Sequence, residues 1–436
     1  MKDVRDRTVA IDKERVWHPY TEMSRYRSEV EPLVVVRAEG SRLFDADGQR
    51  YLDGNASWWT STLGHNHPRL VAALTSQAQR VCHTALAGIA HPGASELAEK
   101  ICSVAPAGLE HVFYSDNGST SVEVGMKLAL QYWAQNGQPD RCAFIALEEA
   151  FHGETLGVTA LGGVEVFRQP FSRVLLECQR IPSPAGSGGT AASLTRLREI
   201  LATDASRIAA LVVEPMVQGA AGMQTYESDF LAGARRLCDE FDVFLICDEV
   251  FTGYGRTGPM WACEHANVDP DIVCTAKGFS GGMLPMAATL TTDRIFEGFL
   301  GEPSRAFYYG HTFCGNPLGA AVALEVLQVF EDEEILGAAK EKAVQIARAF
   351  EEMGSWDGVS RNRSLGMVGA CDLEGDSGYL ADAGWRVFEE ARRRGAYLRP
   401  LGNVVYVTPS LNIPDADLGE LLEILMESVS KVLGKP

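Results

Sequence analysis

From about residue 70 to residue 330, short apolar runs alternate with stretches carrying an apolar stripe at helical spacing. The spacing predicts helices at 69–81, 94–104, 119–136, 194–203, 228–241 and 317–331, and strands at 111–114, 143–147, 211–215, 243–248, 272–275 and 286–292. Strands in this order are buried when the intervening helices cover both faces of one sheet. The expectation is an α/β fold with a mostly parallel sheet, whose ligands sit beyond the carboxyl ends of the strands.

The two ends of the chain read differently. The first 60 or so residues look like short strands and turns: Pro32-Leu33-Val34-Val35-Val36 is β-branched, and Asp45-Ala46-Asp47-Gly48 is a turn before Arg50-Tyr51-Leu52-Asp53. After a helical region at 333–353 come short strands (364–373, 396–399, 403–407) and two helices (380–394, 415–433). The expected organisation is a large domain at 61–332 and a smaller α+β domain at 333–436, which the N-terminal segment 1–60 joins. The run Ile181 to Gly189, rich in proline, serine and glycine, is expected to be a surface loop.

With 436 residues, 46% of them hydrophobic, the chain can bury a large core. A formal net charge of −19 argues against nucleic acid or an anionic membrane as partner. Ten cysteines without a C-x-x-C pair read as reduced thiols of a cytoplasmic protein. The charged N-terminus lacks the apolar stretch of a signal peptide, and no run is long enough to span a bilayer.

Against that frame, one pair of residues stands out. The apolar run Val243-Phe244-Leu245-Ile246-Cys247 ends in Asp248-Glu249, and Lys277 follows in the small-residue turn Thr275-Ala276-Lys277-Gly278. A buried acid and a lysine at neighbouring strand ends suit pyridoxal 5'-phosphate (PLP): the amine holds the aldehyde covalently, and the acid keeps the pyridine nitrogen protonated. A carboxylate about 4 Å from that nitrogen gains roughly 4 kcal/mol at an effective dielectric near 20. That is on the order of three pKa units, enough to keep the ring cationic at neutral pH.

Three further segments agree. Ser115-Asp116-Asn117-Gly118-Ser119-Thr120 lies between a strand and a long helix, where Gly118 permits close approach and Ser119 can face a phosphate. Taken alone it is an ordinary helix cap. Phe151, in Ala150-Phe151-His152-Gly153-Glu154, sits at a strand end where an aromatic ring can stack on a pyridine; the plainer reading is a core phenylalanine. Tyr309-Gly310-His311-Thr312-Phe313-Cys314-Gly315-Asn316-Pro317 is a glycine-bounded turn before a helix, with Pro317 at the first helical position.

Taken together these motifs resemble the class III, fold-type I PLP-dependent aminotransferases, over nearly the whole chain. The ordered set is Asp248-Glu249-Val250-x-x-Gly253-x-Gly255-Arg256-x-Gly258, then Lys277, then Gly310-x-Thr312-x-x-Gly315-Asn316-Pro317. Val16-Trp17-His18-Pro19-Tyr20-Thr21, Gly54-Asn55-Ala56-Ser57-Trp58-Trp59, Gly64-His65-Asn66-His67-Pro68 and Leu128-Ala129-Leu130-Gln131-Tyr132-Trp133 are similar to the branch of the class that aminates 8-amino-7-oxononanoate in biotin synthesis.

The resemblance implies a cytoplasmic homodimer using PLP, with 8-amino-7-oxononanoate as acceptor and adenosylmethionine or lysine as amino donor. Lys277 would carry the cofactor and Asp248 would pair with its ring nitrogen. Gly118 and Ser119 would bind the phosphate, and His311 and Thr312 would reach it from the neighbouring subunit. Phe151 would stack on the ring. Tyr20, Trp58, Phe151, Lys277, Gly310 and Arg399 would shape the substrate pocket, Arg399 as the fork for the acceptor's carboxylate; a solvent-facing arginine is the plain alternative. If the segment is extended, Trp58 and Trp59 point to opposite faces, so only one lines the pocket, and Trp58 is the expected wall.

Two departures bear on the donor: Phe151 and Glu154 stand where the family usually has Tyr and Asp. Another ω-amino acid or diamine aminotransferase, acting on ornithine or 4-aminobutyrate, is the competing enzyme. A PLP-fold binding protein is disfavoured by the presence of both Lys277 and Asp248. His65-x-His67 lacks further metal ligands nearby, and no G-x-G-x-x-G follows the first strand of the sheet, which weighs against a dinucleotide enzyme.

Overall fold

The computed structural model describes residues 2–375 and 378–434; Met1, Lys435 and Pro436, at the ends of the expected terminal units, lie outside it. Its centre is a seven-stranded sheet in the order Leu109–Ser115, Ala287–Thr292, Ile272–Thr275, Phe244–Asp248, Ile208–Val213, Ala143–Leu147, Cys178–Ile181. Ala287–Thr292 runs antiparallel to both neighbours, and the remaining pairs are parallel. The mostly parallel sheet and its helices are those the alternation predicts.

Burial on both faces explains the near-continuous apolar strands. Phe244 and Ile246 pack with Val122, Met126 and Phe144 on one side, whereas Leu245 and Cys247 join Val213, Phe230 and Val273 on the other. Each such side chain contributes roughly 1.5–3 kcal/mol of burial. Alternation therefore holds the sheet from both sides and leaves the carboxyl strand ends open.

A four-stranded sheet takes Val35–Glu39, Arg42–Asp45 and Arg50–Asp53 from the N-terminal segment and Ala396–Tyr397 from the far end of the chain. Asp53 stands opposite Tyr397 in its parallel pair. A three-stranded antiparallel sheet, Val359–Leu365, Val368–Leu373 and Val404–Val407, packs under the helix Ile335–Gly354.

The structure corrects the reading of the N-terminus, which opens with helices at Lys2–Arg15 and Met23–Ser28 rather than strands and turns. The first is charged, with only scattered apolar residues, so hydrophobic periodicity gives no signal there although Lys, Arg, Ala and Glu in it favour a helix. Tyr26 and His18 tie its Asp12 down, at 2.6 and 2.9 Å. The sheet also gains the edge strand Cys178–Ile181, whose polar residues concealed it. Ile181, Ser183 and Pro184 are buried, so the expected surface loop reaches the surface only at Gly186–Gly188.

Candidate active site

At the carboxyl strand ends lies a cavity of about 580 Å³. Tyr20, Trp58, Gly118, Ser119, Phe151, Asp248, Lys277 and Arg399 all line it. Gly310, His311 and Thr312 do not. His311 instead sits with Nδ1 2.8 Å from Asp116 Oδ2 and Nε2 2.9 Å from the Tyr309 hydroxyl.

Lys277 begins a short turn just past Ile272–Thr275, in the left-handed region at φ 48°. Such a conformation in a non-glycine residue is costly and collects at functional sites. Its Nζ lies 4.6 Å from the Trp59 ring centre and 5.8 Å from that of Phe251. It makes no hydrogen bond or ion pair among the described residues. Burial lowers its pKa to about 8, against the upward pull of Asp248 and Glu214. The amine is therefore far easier to deprotonate than an ordinary lysine.

Asp248 ends the central strand, buried to 4% exposure. Its Oδ1 accepts from the Val250 N–H at 3.0 Å, and its Oδ2 accepts from His152 Nδ1 at 2.7 Å. Because a carboxylate only accepts, the imidazole carries its proton on Nδ1. Burial disfavours charged His152, but the Asp248 hydrogen bond and charge outweigh it and raise the pKa.

Glu214 lies behind them, its pKa pushed up by burial to about 7. Its two oxygens accept from the Phe151 N–H at 3.0 Å and the Gly219 N–H at 2.9 Å. It thereby fixes the backbone that presents Phe151.

Helix Gly118–Gln135 aims its N-terminus at the same cavity, capped reciprocally by Asn117 and Thr120. The N–H groups of Gly118 and Ser119 have no acceptor among the described residues. A Cβ on Gly118 would meet Val250 Cγ1 at 2.6 Å, so glycine is required by contact. The Ser119 hydroxyl accepts from the Glu154 N–H at 3.1 Å, leaving its own proton free to donate. Two free N–H groups, a hydroxyl and the helix dipole make an anion cradle. A buried acid, an unpartnered amine and this cradle around one cavity fit the ring nitrogen, aldehyde and phosphate of PLP.

The tryptophan segment differs from the expectation. Ala56, Ser57, Trp58 and Trp59 have φ of 45, 46, 66 and 72°, forming one left-handed helical turn rather than an extended strand. At roughly 1–2 kcal/mol per residue, such a turn costs about 4–8 kcal/mol. Both tryptophans line the cavity as a result. Trp59 is buried under Lys277 and donates its indole N–H to the Tyr406 hydroxyl at 3.1 Å. Trp58 forms the outer wall, 5.4 Å from the Tyr20 ring and 4.9 Å from the Arg399 guanidinium.

Arg399 also faces Trp385 at 5.5 Å, and no carboxylate of the described residues pairs with it. Tyr20 donates its hydroxyl to Glu154 at 2.9 Å. Burial raises the pKa of Glu154 despite that bond. Phe167 and Tyr379, 4.9 Å apart, complete the aromatic wall. Neither carried a local signal. His152 could have been found, since it follows Phe151 directly.

Residues 23–429 match the class-III aminotransferase family. This chain belongs to that family. The class-III aminotransferase is 40% identical over 443 residues to the adenosylmethionine-8-amino-7-oxononanoate aminotransferase of Geobacter sulfurreducens, covering 97% of each chain. It is 38% identical to the enzyme of that name from Aquifex aeolicus, covering 97% and 96%. Its structure superposes on that of the same-named enzyme of Methanocaldococcus jannaschii with a TM-score of 0.94, at 34% identity over 98% and 99% of the chains. A PLP-bound amine transaminase from an uncultivated Pseudomonas species gives a TM-score of 0.91, at 32% identity over 96% and 98%. The class-III aminotransferase is thus a PLP-dependent transaminase of fold type I. Among the described residues no helix is long and apolar enough to cross a membrane.

Proposed function

We propose that this aminotransferase converts 8-amino-7-oxononanoate to 7,8-diaminononanoate in biotin synthesis, with adenosylmethionine as donor, in the cytoplasm and as a homodimer. The observation that carries this reading is Arg399: an unpaired guanidinium on the Trp58 ring, lining the cavity that holds Lys277. A long apolar amino ketone ending in a carboxylate needs both an aromatic wall and such a fork. Relatives spanning 97% of this chain carry that substrate in their names.

PLP held there would supply an aldehyde carbon able to carry an amino group and a pyridinium ring able to accept electrons from the reacting carbon. Lys277 Nζ would hold the cofactor through its aldehyde, with water as the leaving group, and as the free amine would move the proton released at the reacting carbon. Trp59 and Phe251 keep water from that amine. Asp248, steadied by His152, holds the proton on the ring nitrogen. Gly118 and Ser119 bind the phosphate, and Phe151, braced by Glu214, stacks on the ring. Arg399 fixes the acceptor's carboxylate while Tyr20 and Trp58 line its methylene chain. Gly310, His311 and Thr312 act in the partner's cavity. Residues 61–332 form the large domain, and 1–60 with 333–436 the small one.

Phe151, lacking the phenol, leaves lysine open as an alternative donor. Mixing the PLP-loaded enzyme separately with adenosylmethionine, lysine, ornithine and 4-aminobutyrate, and following loss of the visible cofactor band, tests the donor. Adding 8-amino-7-oxononanoate must then restore the band and yield the diamine. Turnover with ornithine or 4-aminobutyrate and no use of the oxononanoate overturns the substrate assignment.

A further inference from the structure

Four successive non-glycine residues in a left-handed turn need something to hold them; packing holds the buried Ala56 and Trp59 at its two ends but leaves Ser57 exposed between them. A second cavity, of about 1500 Å³, lies against the same turn, and Trp58 borders both cavities. Ser57 and Trp58 are exposed. What grips the turn is a carboxylate one strand end away. Asp53, buried to 4% exposure, accepts the Ser57 hydroxyl on Oδ2 at 2.7 Å and the His65 Nε2–H on the same oxygen at 2.9 Å. Its Oδ1 takes the Asn55 N–H at 3.3 Å.

Both supports of this carboxylate are themselves anchored. Asp53 ends a strand paired with Ala396–Tyr397, two residues before Arg399. His65 is fixed by a reciprocal backbone pair with Gly40, at 2.7 and 3.0 Å. The clamp therefore links the small sheet that leads to Arg399 with the turn that carries the wall beneath it.

We infer that Asp53 is a positioning residue for substrate specificity: braced by His65, it holds through Ser57 the strained turn that presents Trp58 and Trp59 to the cavity. Asp53 does not line that cavity and acts only through the turn. The inference rests on the proposed acceptor only for its kinetic readout.

The test compares Ser57→Ala, Ser57→Gly and Asp53→Asn in the PLP-loaded full chain. Near-ultraviolet circular dichroism in the tryptophan bands reads the turn without substrate, with Trp58→Phe and Trp59→Phe as references. Ser57→Ala is expected to weaken those bands and raise the acceptor KM about tenfold, as for one lost hydrogen bond to a charged group, with kcat nearly unchanged. Ser57→Gly should be less impaired, because glycine takes φ 46° without a Cβ clash. A purely tethering role would not separate the two. Asp53→Asn should resemble or exceed Ser57→Ala; if it fails to fold, the order of the Ser57 pair decides. Unchanged dichroism in Ser57→Ala, or glycine as impaired as alanine, overturns the inference. Intact dichroic ordering in an enzyme that ignores the oxononanoate would instead overturn the substrate assignment alone.

Discussion

His152 Nδ1 donates to Asp248 Oδ2 over 2.7 Å, with both side chains buried. The acid is thus held in one orientation by a side chain that needs no contact with substrate. Replacing His152 by Phe keeps the ring volume and removes the donor. Losing a hydrogen bond to a charged group costs roughly 1.5–3 kcal/mol, so kcat should fall about ten- to a hundredfold. Single-turnover kinetics, with the cofactor absorbance followed in parallel, measures it.

Asp248→Asn removes the anion and leaves the shape. With roughly 4 kcal/mol at stake at an effective dielectric near 20, the amino-transfer rate should drop by about a thousandfold while cofactor still binds. Loss of less than about tenfold would assign the ring nitrogen another partner.

Arg399→Ala should raise the KM for the carboxylated acceptor about ten- to a hundredfold and leave the donor half-reaction near its original rate. Arg399→Lys should recover little, since an ammonium offers no bidentate fork. Separate half-reaction measurements show whether the loss falls on the acceptor side.

The lowered Lys277 pKa gives a pH dependence of known sign. Below about pH 8 the amine is protonated and cannot attack an aldehyde; above it the free amine dominates. Capture of PLP by cofactor-free protein should therefore accelerate as pH rises through about 8, and Trp59→Ala, admitting water, should move that midpoint upward. Stability follows the same linkage: between about pH 8 and 10.5 the unfolded chain keeps a proton that the folded one has lost, so rising pH favours the fold. The stability gained by Lys277→Met in cofactor-free protein should shrink across that window. Thermal unfolding at several pH values checks it.

The parts of this fold that could be read from the sequence are those governed by local pattern. Strands such as Phe244–Asp248 are apolar because both faces are covered, and their acid or amine termini stand out against that run. The left-handed turn at Ala56–Trp59 gave no such signal, since no local preference favours four positive φ values in succession outside glycine. It is tied by a hydrogen bond from Ser57 to the nearby Asp53 and by the long-range bond from Trp59 to Tyr406. Helix Lys2–Arg15 is silent in the sequence for a different reason, having too few apolar residues for a period to show. Phe167 and Tyr379 reach the cavity from segments that are distant in sequence, and only the folded chain brings them together.

The most direct measurement of the central claim is to incubate the protein with PLP, reduce it with borohydride, digest it and locate the modified peptide. A single pyridoxyl group on Lys277 is expected, with no visible chromophore or label there in Lys277→Ala. A label on another lysine, or none at all, would contradict it.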